Sequence, residues 1–289
     1  TTNATARALV MGGTRLIGVA IPPVANPYFA ALLQAVHTEA HARGYHLLLT
    51  DTQDDPEAER GAVDVLRSRR VEGVLLTPSS ESTADRGALP TIARWQIPTV
   101  LLDRLVEDAP LDQIAAENVQ GTSMLTAHLA ALGHRRIALL GAASGSTGTE
   151  RELGYRLGLG RAKLVWDGGL VLAGGSTVEQ ASATLEAALR GEDPPTAVIA
   201  GNNVMLRGAL LLAKHRDLRV GTDLAILGYD EVDWAELIDP PLTTMQTPVA
   251  ALGATAVRML LQRIATPQAK RRIERLPTRF LHRGSCGCG

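Results

Sequence analysis

The sequence predicts an α/β protein built from two doubly wound parallel sheets, each covered by helices. Three observations predict it. Apolar, β-branched runs of strand length alternate with helical patterns along most of the chain, the order that gives parallel sheets joined by right-handed crossovers. The strand segments before residue 247 are too many for one twisted sheet, so two sheets of about six strands are expected. After Gln246 the alternation changes. Pro248 opens a helical pattern to about Ile264, able to pack back on the first half, and a last extended segment covers 272–282.

The first strand, 16–21, is an apolar run of the kind a strand buried on both faces requires. Further strands read at 46–50, 73–77, 98–102, 136–140, 169–172, 196–200, 224–228 and 242–246. Helical patterns lie between most of them, at about 28–43, 56–69, 84–95, 118–132, 149–163, 177–190 and 203–216. Asp55-Pro56-Glu57 and Ser176-Thr177-Val178-Glu179 mark helix starts, where cap residues precede acidic first-turn residues. Gly44, Gly133 and Gly191 mark helix stops.

Composition bounds the function. The 289 residues carry 45% hydrophobic and 20% charged side chains, the profile of a globular chain long enough for two modest domains. A net charge of −1 gives no global pull toward nucleic acid or an anionic membrane. No apolar run approaches the ~20 residues of a membrane helix. Cys286 and Cys288 are the only cysteines, too few for a disulfide framework, and consistent with a reducing compartment. One residue apart, they also fall short of the four ligands of a closed zinc site, so no metal and no cofactor is expected.

Catalytic motifs are thin. Gly141 to Gly148 is glycine-rich after a strand but lacks the Gly-Lys-Ser/Thr ending of a phosphate loop and the Gly-x-Ser-x-Gly elbow, which leaves a plain strand-to-helix loop. His37 and His41 share a helical face, but Thr38 replaces the glutamate of a zinc-protease helix. His128 and His134 flank a helix end, where a protonated imidazole would favour the dipole. With no nucleophile–base pair, no enzyme is expected.

What stands out is a set of polar residues just beyond strands, where ligands bind in open α/β sheets. Asn26 and Tyr28 follow the first strand, with Phe29 beside them; Asp103 and Arg104 follow 98–102. Arg151 falls in the first turn of the helix after the Gly/Ser loop, Asn202 and Asn203 follow 196–200, and Asp230 follows 224–228.

Six segments in order carry a resemblance over about residues 3–285: Asn26-Pro27-Tyr28-Phe29, Leu101-Leu102-Asp103-Arg104, Leu132-Gly133-His134-Arg135-Arg136-Ile137-Ala138, Glu150-Arg151-Glu152-Leu153-Gly154-Tyr155-Arg156, Leu227-Gly228-Tyr229-Asp230 and Asp239-Pro240-Pro241-Leu242-Thr243-Thr244. The chain resembles the effector-binding core of the lac repressor–purine repressor–galactose repressor family of bacterial transcription regulators. The resemblance implies a type I periplasmic-binding-protein-like fold, two subdomains joined by three crossings near Gly133, Thr247 and Leu276, with an effector held between them. It divides the chain into a hinge remnant at 1–14, a first subdomain of 15–132 with 248–275, and a second of 133–247 with 276–289. Arg7, Ala8 and Leu9 match the hinge, Leu9 the leucine that wedges into the minor groove, and Asn3–Gly13 is expected to be irregular here. The family's helix-turn-helix headpiece precedes that segment and is not among these residues.

The resemblance also implies ligand roles for Asn26, Tyr28, Phe29, Asp103, Arg104, Arg151, Asn202, Asp230 and Gln246, with Arg151 and Asp230 facing each other across the cleft. Thr247 stands where many sugar-responsive members have glutamine, Ser176 where a stacking aromatic often sits, and Asn203 where an aspartate is usual, a candidate helix cap. The expected effector is a sugar or sugar derivative. The resemblance further implies a cytoplasmic homodimer, paired through 56–69, 84–95 and 248–264, that meets operator DNA and no membrane. The alternative is a periplasmic sugar-binding protein of an uptake system, which the hinge-like segment disfavours.

Overall fold

The computed structural model describes residues 13–79, 82–83, 86–141 and 145–288. In chain order the strands are β1 (Leu16–Ile21), β2 (His46–Asp51), β3 (Gly73–Leu76), β4 (Thr99–Leu102), β5 (Asp112–Ala116), β6 (Ile137–Gly141), β7 (Val171–Ala173), β8 (Ala197–Ala200), β9 (Ala225–Tyr229), β10 (Thr243–Gln246), β11 (Ile273–Leu276) and β12 (Arg279–Leu281). The helices are α1 (Pro27–Ala42), α2 (Pro56–Ser68), α3 (Leu89–Trp95), α4 (Asn118–Ala131), α5 (Ser146–Arg161), α6 (Val178–Leu189), α7 (Asn203–His215) and α8 (Val249–Ala265).

The chain divides into a unit of Thr1–Ala115 with Val249–Leu276 and a unit of Ala116–Pro248 with Pro277–Gly289, so the chain passes between them three times. The first unit's sheet has the order β11-β5-β4-β3-β1-β2, and the second unit's β12-β10-β9-β8-β6-β7. Strands β1 to β4 pair in parallel, as do β6 to β10, and β12 runs antiparallel to β10. Each sheet is thus wound in both directions from its first strand, which puts its topological switch point at β1/β3 and β6/β8. No helix among the described residues is long and apolar enough to cross a membrane.

Local chemistry explains the elements. Asn26 caps α1 by accepting the Tyr28 N–H at 3.0 Å, with Pro27 pre-set at the first helical position. Asp55 does the same for α2, accepting from Glu57 and Ala58, and Thr177 with Gln180 forms a full capping box on α6. In the second unit alternate strand residues face opposite ways. Ala138, Leu140, Val198 and Ile226 pack with α6 and α7, while Ile137, Leu139, Ile199 and Leu227 pack with α4 and α5. In the first unit Val74, Leu76 and Leu101 pack on α2 and α3, and α8 buries Leu252, Ala256 and Val257 on the other side.

Several expected boundaries shift, each for a physical reason. The first crossing lies at 115/116 rather than at Gly133, because α4 packs lengthwise on α5 inside the second unit. Strand β5 was not expected, since Asp112-Gln113 reads as polar loop. Both are buried, Asp112 held by Arg263 (2.9 Å) and Gln113 by the Val106 backbone (2.9 and 3.0 Å). The extended segment 272–282 is two strands in different sheets, broken at Pro277, which has no N–H to donate. Residues 168–170 form a 3₁₀ turn ahead of the short β7, and α3 is shorter than the pattern at 84–95. His128, on the last turn of α4, sits below the ordinary histidine value through burial, with His282 and His134 adding to it, so a protonated dipole partner does not fit there. Cys286, on a 3₁₀ turn (Gly284–Cys286), is paired as a disulfide with Cys288 just beyond the turn, and Ser285 and Cys286 are fully buried. The hinge residues Arg7, Ala8 and Leu9 lie outside the described residues, as does most of Asn3–Gly13.

Candidate functional site

In the second unit the expected polar residues gather around one guanidinium. Helix α5 starts at Ser146 after Gly145 (φ +84°), which places Arg151 in its second turn rather than its first. The helix lies unusually close to α4. A Cβ on Gly158 would stand 2.5 Å from Thr126 Cβ and 2.9 Å from the Ser123 carbonyl oxygen, and one on Gly154 would collide with the Val119 carbonyl. This approach brings the first residue of α4, Asn118, against α5. Arg151 Nε donates to Asn118 Oδ1 at 3.1 Å, and the Asn118 amide donates to Glu150 Oε2 at 2.8 Å and to the Ala116 carbonyl at 3.3 Å.

The rest of the Arg151 fork reaches the carboxyl edge of the sheet. Nη1 donates to the Gly201 carbonyl, just beyond β8, and the guanidinium carbon lies 3.8 Å from the Tyr229 ring centroid. Nη2 stands 4.0 Å from Asp230 Oδ1. That is a loose ion pair, longer than a charge-assisted hydrogen bond. Asp230 is fixed from below: its backbone adopts φ +74°, its N–H donates to the Met245 carbonyl at 2.9 Å, and Oδ1 accepts from Thr247 Oγ1 at 2.8 Å. Burial pushes its carboxyl above the ordinary carboxylate value, against the opposing pull of Arg151 and the Thr247 hydroxyl. Burial also pushes Tyr229 up to about 12, with Arg151 opposing and Asp230 adding. A donor fork beside a buried acceptor carboxylate can together take two neighbouring hydroxyls of a small ligand.

The remaining expected residues of this unit stand nearby with different occupations. Asn202 caps α7, its Oδ1 accepting the Met205 N–H at 2.8 Å, while Asn203, the expected cap, is the first helical residue and is buried. Gln246 ends β10 with its backbone opposite Arg279, and it is Thr247, not Gln246, that reaches Asp230. Ser176 is exposed, its N–H donating to Gln180 Oε1.

The first unit holds a second group at its own carboxyl edge. Tyr28 donates its hydroxyl to Asp103 Oδ1, and Phe29 packs edge-on against Tyr28 with centroids 5.2 Å apart. Asp103 has φ +72°, with its N–H donating to the Ile114 carbonyl at 2.8 Å. Arg104 pairs with Asp54, donates to the Pro78 carbonyl at 3.0 Å, and lies over Phe29. Asn26 is the α1 cap described above.

Sequence reasoning missed three residues at these edges, Thr52, Thr77 and Asn118, and singled out Thr247 without its role. Thr52 and Thr77 follow β2 and β3, and their buried hydroxyls have no hydrogen-bond partner in the structure. The signal for them was the same after-strand position that singled out Asp103. Asn118 and Thr247 act through Arg151 and Asp230, roles that the helix packing and the β9–β10 register reveal.

Two parallel sheets of identical winding, each with ordered polar residues on its carboxyl edge, define a periplasmic-binding-protein-like sensor fold. Comparison agrees: a periplasmic binding protein-like domain matches residues 126–286. The HTH-type transcriptional repressor PurR of Mannheimia succiniciproducens is 32% identical over 270 residues, covering 93% of this chain and 80% of that protein. The HTH-type transcriptional regulator DegA of Bacillus subtilis is 31% identical, with 88% and 75% covered. Among solved structures, the transcriptional regulator CelR–cellobiose complex superposes with a TM-score of 0.85 at 26% identity, over 94% of this chain and 84% of that one. The chain belongs to the lac repressor family of transcription regulators and is an effector-binding core of that family.

Proposed function

We propose that this core senses a small polar effector, a sugar or sugar derivative, and passes the occupancy of its site to operator DNA. The observation that carries the reading is the loose Arg151–Asp230 ion pair, 4.0 Å apart, each group oriented by a further partner of its own. A fork and a carboxylate so placed match the donor and acceptor needs of vicinal hydroxyls. The solved relative bound to cellobiose supports a carbohydrate, and the exposed Ser176 offers no aromatic face for a purine to stack on. Asn202 is assigned an amide donor to the effector and Gln246 a further polar contact, with Asn26, Tyr28, Phe29, Asp103 and Arg104 as the corresponding edge of the first unit. Effector binding then biases the orientation of the two units, a population shift with a coupling of about 1–3 kcal/mol.

The regulator acts in the cytoplasm as a homodimer, since two hinges match a near-palindromic operator only about a two-fold axis. Of the three segments expected at the dimer face, α8 spends its apolar side on α1 and the sheet, which leaves α2 and α3. Those helices expose Val65 and Trp95, each 49% accessible, with Arg67 stacked 4.5 Å over Trp95.

DNA contact is assigned to Arg7, Ala8 and Leu9 together with a helix-turn-helix headpiece. Basic and acidic residues number 29 and 30, so the chain carries no net positive charge to drive phosphate neutralisation. The 289 residues alone are therefore expected to bind no operator in a gel-shift at physiological salt. A chain joined to a helix-turn-helix headpiece of this family is expected to bind one specifically, and Leu9→Ala in it to weaken that binding without changing effector affinity. Specific operator binding by the 289 residues alone, or indifference to Leu9, contradicts the proposal.

A further inference from the structure

Behind the second sheet, away from its carboxyl edge, two histidines and both cysteines converge from parts of the chain that no spacing motif connects. His128 stands on the last turn of α4, His282 directly after β12, and Cys286 and Cys288 on and beside the final 3₁₀ turn. Their ligand atoms all lie within 4.8 Å of one another. His282 Nε2 points at both sulfurs, 2.8 Å from Cys288 Sγ and 3.5 Å from Cys286 Sγ. The His128 and His282 rings meet edge to face with centroids 5.0 Å apart. His128 Nε2 is buried and has no hydrogen-bond partner, which is costly for a polar atom and calls for an occupant.

We propose that, with both cysteines reduced, His128, His282, Cys286 and Cys288 bind one zinc-class divalent cation in a tetrahedral site of two sulfurs and two nitrogens. The donor set is the one that selects zinc over magnesium or calcium, and two thiolates with two neutral imidazoles close its four positions without a water. Tetrahedral ligands at roughly 2.0–2.3 Å from an ion stand roughly 3.3–3.8 Å apart, so side-chain rotation of about an ångström draws the four atoms into place. Binding releases the two thiol protons to solvent and transfers no electrons. The disulfide is then the metal-free, oxidised alternative of the same pair. His282 is exposed, which gives the ion a way in, and Phe280 covers the His128 ring on another side at 5.0 Å. The ion would tie the Gly284–Cys286 turn and the end of β12 to the last turn of α4.

The test uses the 289-residue chain, reduced with a phosphine and stripped with chelator, then titrated with cobalt(II) and back-titrated with zinc. The expected result is one equivalent of cobalt with the intense visible bands of a tetrahedral centre and a near-ultraviolet thiolate charge-transfer band, all bleached by zinc. Cys288→Ser should remove about half the charge-transfer intensity, and His282→Ala and His128→Gln should each weaken cobalt by tenfold or more. His282 is exposed, so His282→Ala decides the matter if His128→Gln fails to fold. Absence of the thiolate band, or cobalt affinity unchanged in His282→Ala, overturns the proposal.

Discussion

Arg151 and Asp230 stand 4.0 Å apart, each anchored by groups other than its partner: Arg151 by Asn118 and the Gly201 carbonyl, Asp230 by Thr247. At this distance the two form a loose ion pair with no direct hydrogen bond between the charges, so a ligand hydroxyl meets little competition for either group. Both residues belong to the second unit, so they face each other within one unit rather than across two. The same pair governs stability, because a buried carboxylate beside a ligand position is held at a cost to the free protein.

The cost has a sign. Asp230 titrates above its unfolded value, so the folded state binds the proton more readily than the unfolded chain. Its contribution to stability is fully present below the ordinary carboxylate range and is lost as pH rises through the raised value. Asp230→Asn should therefore raise the melting temperature at pH 7–8 by roughly 2–4 °C, about 1 kcal/mol in a chain of this size, with the gain vanishing toward acid. Differential scanning calorimetry across pH checks it. A variant less stable than wild type at neutral pH would show that the Arg151 attraction outweighs burial.

Helix contact at the glycines sets the position of Asn118. Gly158→Ala brings a methyl to 2.9 Å from the Ser123 carbonyl and should destabilise the chain by about 1–3 kcal/mol, the usual range for overpacking. Gly160, two residues on, has nothing within 4 Å of its would-be Cβ, so Gly160→Ala should be neutral or stabilising by up to about 1 kcal/mol. Urea denaturation separates them. Equal responses would mean that the close approach of α4 and α5 carries no strain.

Pairing through α2 and α3 predicts that Val65→Asp with Trp95→Ala yields a monomer with an unchanged fold, because neither side chain is needed by the first unit's core. Sedimentation velocity at tens of micromolar reads the outcome. A wild-type monomer, or a dimer indifferent to both substitutions, removes this face from the assembly.

How far the sequence revealed this architecture depends on where each signal lay. Strand β1 was legible from its own apolar run, whereas the capping role of Asn26 was not, because its place just after a strand pointed to a ligand instead. Strand β5 was hidden because the charge that makes Asp112 buriable comes from Arg263, 151 residues away. Arg151 and Asp230 were found by their place after strands, a local property. Asn118 was not, because its role depends on how closely Gly154 and Gly158 let two helices approach. The histidine–cysteine cluster was invisible for the same reason: Cys286 and Cys288 are neighbours in sequence, but His128 joins them only through the fold.

Whether Arg151 beside Asp230 holds an effector is read by a thermal-shift panel of sugars, polyols and nucleosides, followed by calorimetry of the strongest binder. At least one polar compound should raise the melting temperature of the wild-type chain. Arg151→Ala should remain folded and lose about 2–4 kcal/mol of that compound's binding free energy, as truncation of a charged hydrogen-bonding group does. Undiminished affinity in Arg151→Ala, or a panel in which no compound stabilises the wild-type chain, would rule out Arg151 as the effector's anchor.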